Sequence, residues 1–212
     1  MKITLIYDNE AYREGLKADW GFSCLVEVEN QPRILFDTGA NGKILLENMK
    51  KLNIKPEGID EIFISHSHWD HTGGLPDLLK INPDVTVYSP SSYRPPKAKK
   101  IVNIEKAMQI HGSIFSTGEL MGIEQSLVVK TDRGLVVIDG CSHPGVGNIL
   151  RTASQFGRVY ALIGGLHGFR EFALLNDLGL VCPCHCTQHI SEIKRLYPDK
   201  YVEGGAGRVI EL

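Results

Sequence analysis

The stretch His66-Ser67-His68-Trp69-Asp70-His71 places four potential metal ligands within six residues, directly after the apolar run at 61–65. Imidazole nitrogens and carboxylate oxygens are ligands that suit zinc, iron or manganese. Because alternate residues at the end of a strand point the same way, we expect His66, His68 and Asp70 to share one side. The stretch therefore predicts a metal site at the end of a strand.

The length and charge of the chain limit what else it contains. Its 212 residues are enough for one domain with a substantial core, so we expect a single domain over residues 1–212. Lys and Arg total 23 and Asp and Glu total 25, a formal charge of -2, which favours neither nucleic acid nor a membrane surface as a partner. A small-molecule substrate is expected, and the oligomeric state is left open.

The cysteines and the N-terminal residues bear on the compartment. Five cysteines are an odd number, and a chain of this size does not need disulfides, which favours a reducing cytoplasm. The first apolar run becomes polar at Asp8-Asn9-Glu10, too early for a signal peptide, and no apolar stretch reaches membrane-spanning length. We therefore expect a cytoplasmic protein.

Short apolar runs rich in β-branched residues recur along the chain and predict strands. These runs are 3–7, 24–28, 33–36, 61–64, 85–88, 127–130, 135–138 and 159–163. Turn-like residues 29–32 and 131–134 each separate two such runs, which predicts two β-hairpins. Helical patterns cover 41–51, 147–156, 171–178 and 187–197. Hairpin-rich halves with interposed helices predict layered sheets flanked by helices, an α/β (α+β) fold.

The segment 89–100 differs in composition from the rest of the chain. It is rich in proline and lysine, which predicts a surface loop. Two interpretations stay open: a solvated connector, or a basic rim that attracts anions to the metal site.

Further ligands are expected from loops elsewhere, because one strand end rarely completes a metal site. His143 and His185 each occupy a loop of the kind that follows a strand, and both are candidate ligands. His167 follows the apolar run 159–163 and two glycines, which favours substrate contact or proton donation over ligation. His111 lacks such a context and is expected on a surface loop, and His189 on an exposed turn early in a helix.

The segment Cys182-Pro183-Cys184-His185-Cys186 permits a second idea, a small structural zinc site. Its cysteines alternate, and no second paired-cysteine segment exists in the chain. We therefore expect His185 to reach the main site while Cys182 and Cys186 pack inward.

With Phe36-Asp37-Thr38-Gly39 upstream, the pattern His66-x-His68-x-Asp70-His71 resembles the metallo-β-lactamase superfamily over the whole chain. That resemblance implies an αββα sandwich with a two-metal site along one edge. Five further segments look like the subgroup named for the dihydropterin-methyl-ribofuranosylaminobenzene phosphate synthase. They are Tyr7-Asp8-Asn9, Trp20-Gly21-Phe22-Ser23, Gly140-Cys141-Ser142-His143, Gly164-Gly165-Leu166-His167 and Pro183-Cys184-His185-Cys186-Thr187.

The resemblance also implies roles for single residues. His66, His68 and His143 would hold the first metal, and Asp70, His71 and His185 would hold the second. Asp37 would orient a ligand histidine from behind. Zinc is the expected metal at both positions, with iron or manganese as alternatives.

One departure from the superfamily pattern concerns the residue that bridges the two metals. An aspartate is usual there, and aligning the Gly-Asp pair places Cys141 in its position, with Asp139 two residues early. A Cys141 thiolate, a bent-in Asp139 or water alone are three ways to bridge the metals.

Two adjacent divalent cations lower the pKa of a shared water and clamp a substrate oxygen, which predicts a binuclear metallohydrolase. The expected substrate is a small, anionic ester: a phosphodiester, a phosphate ester or a lactone. Asp70 would position the nucleophile as well as ligate, and His167 would protonate the leaving oxygen. The subgroup name implies an alternative, a pterin-pathway condensing enzyme. A non-catalytic metal or redox sensor that uses Cys182, Cys184 and Cys186 is the third reading.

Overall fold

The computed structural model describes residues 1–212, whose strands form two sheets. The seven-stranded sheet contains, in spatial order, β13 (Val209–Glu211), β1 (Lys2–Tyr7), β2 (Ser23–Glu27), β3 (Ile34–Phe36), β4 (Glu61–Phe63), β5 (Thr86–Pro90) and β6 (Lys100–Ile104). The six-stranded sheet contains β12 (Leu180–Cys184), β11 (Val159–Gly165), β10 (Gly134–Asp139), β9 (Leu127–Thr131), β8 (Ile114–Ser116) and β7 (Met108–His111). The α-helices are α1 (Gly42–Lys51), α2 (Trp69–Thr72), α3 (Leu75–Ile81), α4 (Val146–Ala153) and α5 (Ile190–Leu196).

Successive residues of a strand point to opposite faces of the sheet, and in this structure both faces of each sheet are covered. In β10, Val136 and Ile138 lie in the cluster between the two sheets, whereas Leu135 and Val137 lie in the cluster that includes residues of α4 and α5. The outer face of the seven-stranded sheet packs in the same way against α1 and α3. This layering is the predicted αββα sandwich.

The two predicted hairpins are confirmed. Strands β2 and β3 pair antiparallel around 29–32, and β9 and β10 pair antiparallel around 131–134. Helix α1 begins where the pattern predicted, because the Asn41 side chain accepts hydrogen bonds from the N–H groups of Lys43 and Ile44.

Parallel pairing brings the loops of interest together. Strands β3 and β4 run parallel in one sheet, and β10, β11 and β12 run parallel in the other. The loops after these strands carry Asp37, His66, His143, His167 and His185. The carboxyl ends of parallel strands meet at one edge of each sheet, and this edge of the sandwich holds the site.

Two helix predictions need correction. Residues 171–178 contain only a 3₁₀ turn, Phe172–Leu175, and the Phe172 carbonyl oxygen that an α-helix would use accepts instead from the Tyr197 hydroxyl. The last helix begins at Ile190 rather than near Thr187, whose N–H and hydroxyl both donate to the Cys184 carbonyl oxygen. The predicted helix at 147–156 corresponds to α4 and the 3₁₀ turn Ser154–Phe156 that follows it.

The predicted loop at 89–100 is shorter than expected, since β5 runs to Pro90 and β6 begins at Lys100. Lys99 Nζ contacts Asp84, while the N–H groups of Ser91 and Ser92 donate to Glu119. Strands β6, β7, β8 and β13 were not predicted, and β12 was implied only as the strand before His185. No helix in the structure is long and apolar enough to cross a membrane.

Candidate metal centre

The first group of candidate ligands consists of His66, His68 and His143. Nδ1 of His68 lies 3.1 Å from His66 Nε2 and 3.2 Å from His143 Nε2, so three imidazole nitrogens converge on one point. Burial, followed by the neighbouring His71, holds the pKa of His66 well below its ordinary value. Burial and the nearby His167 lower the pKa of His143 to about 4. Neutral imidazoles are the form that binds a metal, so this donor set suits a divalent cation.

The second group consists of Asp70, His71 and His185. Asp70 Oδ2 lies 3.2 Å from His185 Nε2 and 3.9 Å from His71 Nε2. Burial alone would raise the pKa of Asp70, but its contacts with His185 and His71 outweigh burial and hold the pKa below its usual value. Nε2 of His185 is buried and has no hydrogen-bond partner, although the Asp70 carboxylate is nearby. An orphaned buried nitrogen beside an imidazole and a carboxylate fits a metal ligand.

The expectation that Asp70 shares a side with His66 and His68 is wrong. Strand β4 ends at Phe63, and helix α2 begins at Trp69, so the alternation of an extended strand does not continue to Asp70. His68 stands at the start of α2, and the helical turn carries Asp70 and His71 into the second group.

In three of these histidines, a buried polar group contacts the ring nitrogen Nδ1. Asp37 Oδ2 lies 2.7 Å from His71 Nδ1, and Ser65 donates its N–H and its hydroxyl to the same carboxylate. Ser65 Oγ lies 2.9 Å from His66 Nδ1, and Asn9 Oδ1 lies 2.9 Å from His185 Nδ1. Such partners fix ring orientation and tautomer, the role that the resemblance implied for Asp37.

Cys141 lies between the two groups. Its Sγ is 3.2 Å from His71 Nε2 and forms a third cluster of donor atoms with His66 and His71. The hydrogen bond with Cys186, followed by burial, raises the pKa of the Cys141 thiol. Asp139 does not bend towards the ligands, because its carboxylate accepts hydrogen bonds from Ser126 and Ser142. Of the protein groups considered for the bridge, only Cys141 lies among the ligands.

Sequence reasoning missed the buried Glu124. Its carboxylate accepts hydrogen bonds from the N–H groups of Cys141 (2.7 Å) and His143 (2.8 Å), and lies 3.6 Å from His66 Nδ1. Burial, followed by the nearby Asp139, raises the pKa of Glu124. A lone glutamate in a turn-like segment carries no periodic signal, so nothing in the sequence marked it. Trp20 was noted only as part of the resemblance, and its Nε1–H donates to Asp70 Oδ2 at 2.8 Å.

His167 lies at the solvent side of the site. Its ring centroid is 4.7 Å from that of His143, and its Nδ1 is 3.0 Å from Cys186 Sγ. Four of the eight non-glycine residues with positive φ, namely Asp37, Ser142, His167 and His185, lie in the loops of the site. Left-handed backbone is costly for such residues, and strain of this kind concentrates at functional sites.

The structure corrects the expectations for the other two histidines and for Cys186. His111 lies in β7 rather than in a loop, and its Nε2 contacts the Glu61 carboxylate at 2.8 Å. His189 is at the start of α5, with its Nε2 buried. Cys182 and Cys184 pack in the central core, but the Cys186 Sγ faces His167 at the site.

A cavity of about 500 Å³ adjoins His185. Its lining includes the carboxylic acids Asp8, Glu10 and Glu203 and contains no lysine or arginine. This cavity therefore offers no cationic side chain to an anionic ligand.

Comparison with known proteins agrees with this geometry. The model of the metallo-β-lactamase superfamily matches residues 21–119. A solved structure described as a metal-dependent hydrolase of the β-lactamase superfamily superposes with a TM-score of 0.84 at 27% identity, covering 100% of this chain and 99% of that one. The chain belongs to the metallo-β-lactamase superfamily.

Two curated relatives differ in what their names describe. The 7,8-dihydropterin-6-methyl-4-(β-D-ribofuranosyl)-aminobenzene-5'-phosphate synthase of Methanocaldococcus jannaschii is 28% identical, over 98% of this chain and 95% of its own. A hydroxyacylglutathione hydrolase of Citrobacter koseri is 32% identical, over 74% of this chain and 58% of its own. Of these two curated relatives, the synthase is similar to the chain over nearly its whole length and the hydrolase over a shorter part.

Proposed function

We propose that this chain is a metal-dependent hydrolase of a small, anionic ester such as a phosphodiester, phosphate ester or lactone. The observation that carries the proposal is the pair of three-residue ligand groups on either side of Cys141. His66, His68 and His143 would hold one divalent ion, and Asp70, His71 and His185 the other. Zinc is the expected ion at both positions, because imidazole, carboxylate and thiol are all zinc ligands, with iron or manganese as alternatives.

Bound divalent ions supply Lewis acidity for an ester oxygen and lower the pKa of a water molecule. The chain's own residues supply the rest of the chemistry. Trp20 holds the Asp70 carboxylate, which orients the attacking water. Nδ1 of His167 contacts Cys186, so the Nε2 of this exposed ring is free to donate a proton to the leaving oxygen.

The remaining parts of the proposal concern context. The chain would be a single domain that acts in the cytoplasm on a small molecule. The formal charge of -2 favours neither nucleic acid nor a membrane as a partner. Five free, buried cysteines agree with a reducing compartment.

The test compares metal content and ester hydrolysis in the same samples. Protein purified without added metal is analysed by mass spectrometry, then screened against phosphodiesters and lactones. We expect His66→Ala and Asp70→Ala each to lose bound metal and hydrolysis, because each removes a ligand of one group. His111→Gln is the matched control, since His111 contacts Glu61 and Tyr88 instead of the site. Full metal content and activity in both alanine variants would refute the proposal.

A second candidate is a pterin-pathway condensing enzyme, favoured by the similarity to the archaeal synthase over 98% of this chain. Incubation with phosphoribosyl pyrophosphate and 4-hydroxybenzoate or 4-aminobenzoate would release pyrophosphate if the chain condenses them. Pyrophosphate release that requires both the aromatic acid and His66 would favour condensation over hydrolysis, and its absence would remove this candidate. A metal or redox sensor is the remaining alternative, in which thiol reactivity would change on chelation without any turnover.

A further inference from the structure

We propose that Cys141, Cys186 and His167 form a third metal site, for a thiophilic divalent ion such as Zn²⁺. The Sγ atoms of the two cysteines and a ring nitrogen of His167 lie within 4.8 Å of one another. Two sulfurs and one imidazole nitrogen are a ligand set that zinc takes in proteins, leaving a fourth position open. The proposal does not depend on whether the chain hydrolyses esters, but ligation by His167 would exclude this ring from the proton donation proposed above.

The donor atoms of this cluster contact one another and the backbone directly. Nδ1 of His167 approaches Cys186 Sγ to 3.0 Å, and Cys186 Sγ lies 3.9 Å from the Cys141 carbonyl oxygen. Gly165 makes this arrangement sterically possible, since a Cβ atom there would come within 2.7 Å of Cys186 Sγ. The left-handed backbone at His167 directs its ring to the cluster from an exposed loop.

Cys141 links this cluster to the histidine-rich centre. Its Sγ belongs both to the cluster with Cys186 and His167 and to the cluster with His66 and His71. A sulfur ligand can be shared between two metals, so the third ion would adjoin the other two. Glu124 fixes Cys141 in this position through the Cys141 N–H.

The surrounding charge also favours an additional cation. Asp37, Asp70, Glu124 and Asp139 are all buried near the centre, and no lysine or arginine is among the buried residues. Buried carboxylates need compensating positive charge, which bound metal ions supply.

The other three cysteines do not share these features. Cys182 and Cys184 contact each other at 3.7 Å, and with Cys24 they lie in the apolar cluster between the sheets. None of the three belongs to a group of potential metal ligands. They therefore serve as controls for a thiol effect that is not specific to the site.

The experiment titrates metal-free protein with Co²⁺ under a non-thiol reductant and records thiolate-to-cobalt charge-transfer absorption. Bound cobalt per chain is counted in parallel by mass spectrometry after gel filtration. The variants are Cys186→Ser and His167→Ala, with Cys182→Ala as the control and circular dichroism as the check on folding. His167→Ala changes an exposed side chain, so it decides the matter if Cys186→Ser does not fold.

We expect both site variants to bind one cobalt ion fewer per chain than wild type and Cys182→Ala. Both site variants should also lose the thiolate-to-cobalt charge-transfer absorption of this site, because the ion that contacts the two thiolates is no longer bound. Equal cobalt counts and equal absorption in wild type and both site variants would overturn the third site. That outcome leaves binding by the histidine groups intact, which His66→Ala measures separately.

Discussion

At the residue scale, the site illustrates which side chains a sequence can reveal. The histidines and Asp70 could be identified because metal ligands cluster in the chain and follow strands. Glu124 could not, because its role depends on two N–H groups that only the folded loop presents to it. The expectation that Asp70 shares a side with His66 and His68 was wrong because helix α2 begins at Trp69.

The buried contact between Asp37 and His71 makes a testable residue-scale prediction. Asp37→Asn keeps the shape of the side chain but removes the charge that holds His71 Nδ1. We expect zinc affinity at the second group to fall roughly 10–100-fold, the usual cost of losing such a partner. Competition with a chromophoric chelator measures this, with His111→Gln as the control. Unchanged affinity would mean that Asp37 is a structural turn residue only.

Glu124 makes a second prediction, on stability. Glu124→Ala leaves the N–H groups of Cys141 and His143 buried without this acceptor. Each unsatisfied group costs about 1–3 kcal/mol, so urea unfolding of the metal-free protein should show a clear loss of unfolding free energy. Glu124→Gln retains one acceptor oxygen and should recover part of the loss. Equal stability of Glu124→Ala and wild type would contradict the contact.

At the element scale, alternation and turn chemistry identified the strands that cross the core, including the hairpins around 29–32 and 131–134. Strands such as β6 and β7 were missed because most of their residues are not buried, so their sequences lack an apolar face. At 171–178 the predicted helix is absent, and the Tyr197 hydroxyl, distant in sequence, takes the Phe172 carbonyl oxygen that an α-helix would use. Local pattern cannot anticipate a contact of that range.

Helix α1 gives the element-scale prediction. Asn41→Ala removes the side-chain acceptor for the Lys43 and Ile44 N–H groups, which should lower the free energy of unfolding by about 0.5–2 kcal/mol. Asn41→Asp is the matched control and should stay close to wild type, because aspartate caps a helix as well. Chemical denaturation distinguishes the two, and an equal loss in both variants would show that the cap is not the cause.

At the scale of the whole molecule, two sheets bring loops distant in the chain to one edge, where buried acids and neutral histidines lie together. The sequence pattern implied this architecture, but the hydrogen bonds between these loops form only in the folded chain. Metal binding to the folded state should stabilise it, by about 2.7 kcal/mol when free metal is a hundredfold above its Kd. Differential scanning calorimetry should therefore show a higher Tm with zinc than with chelator. A wild-type Tm that is the same with zinc and with chelator would contradict metal binding by the folded chain.

The central claim is that two metal ions lie on either side of Cys141. Anomalous X-ray diffraction from crystals grown with zinc present tests it most directly. We predict one peak within bonding distance of His66, His68 and His143, and a second within bonding distance of Asp70, His71 and His185. Data that show no peak at these positions, from crystals grown with zinc present, would contradict the account.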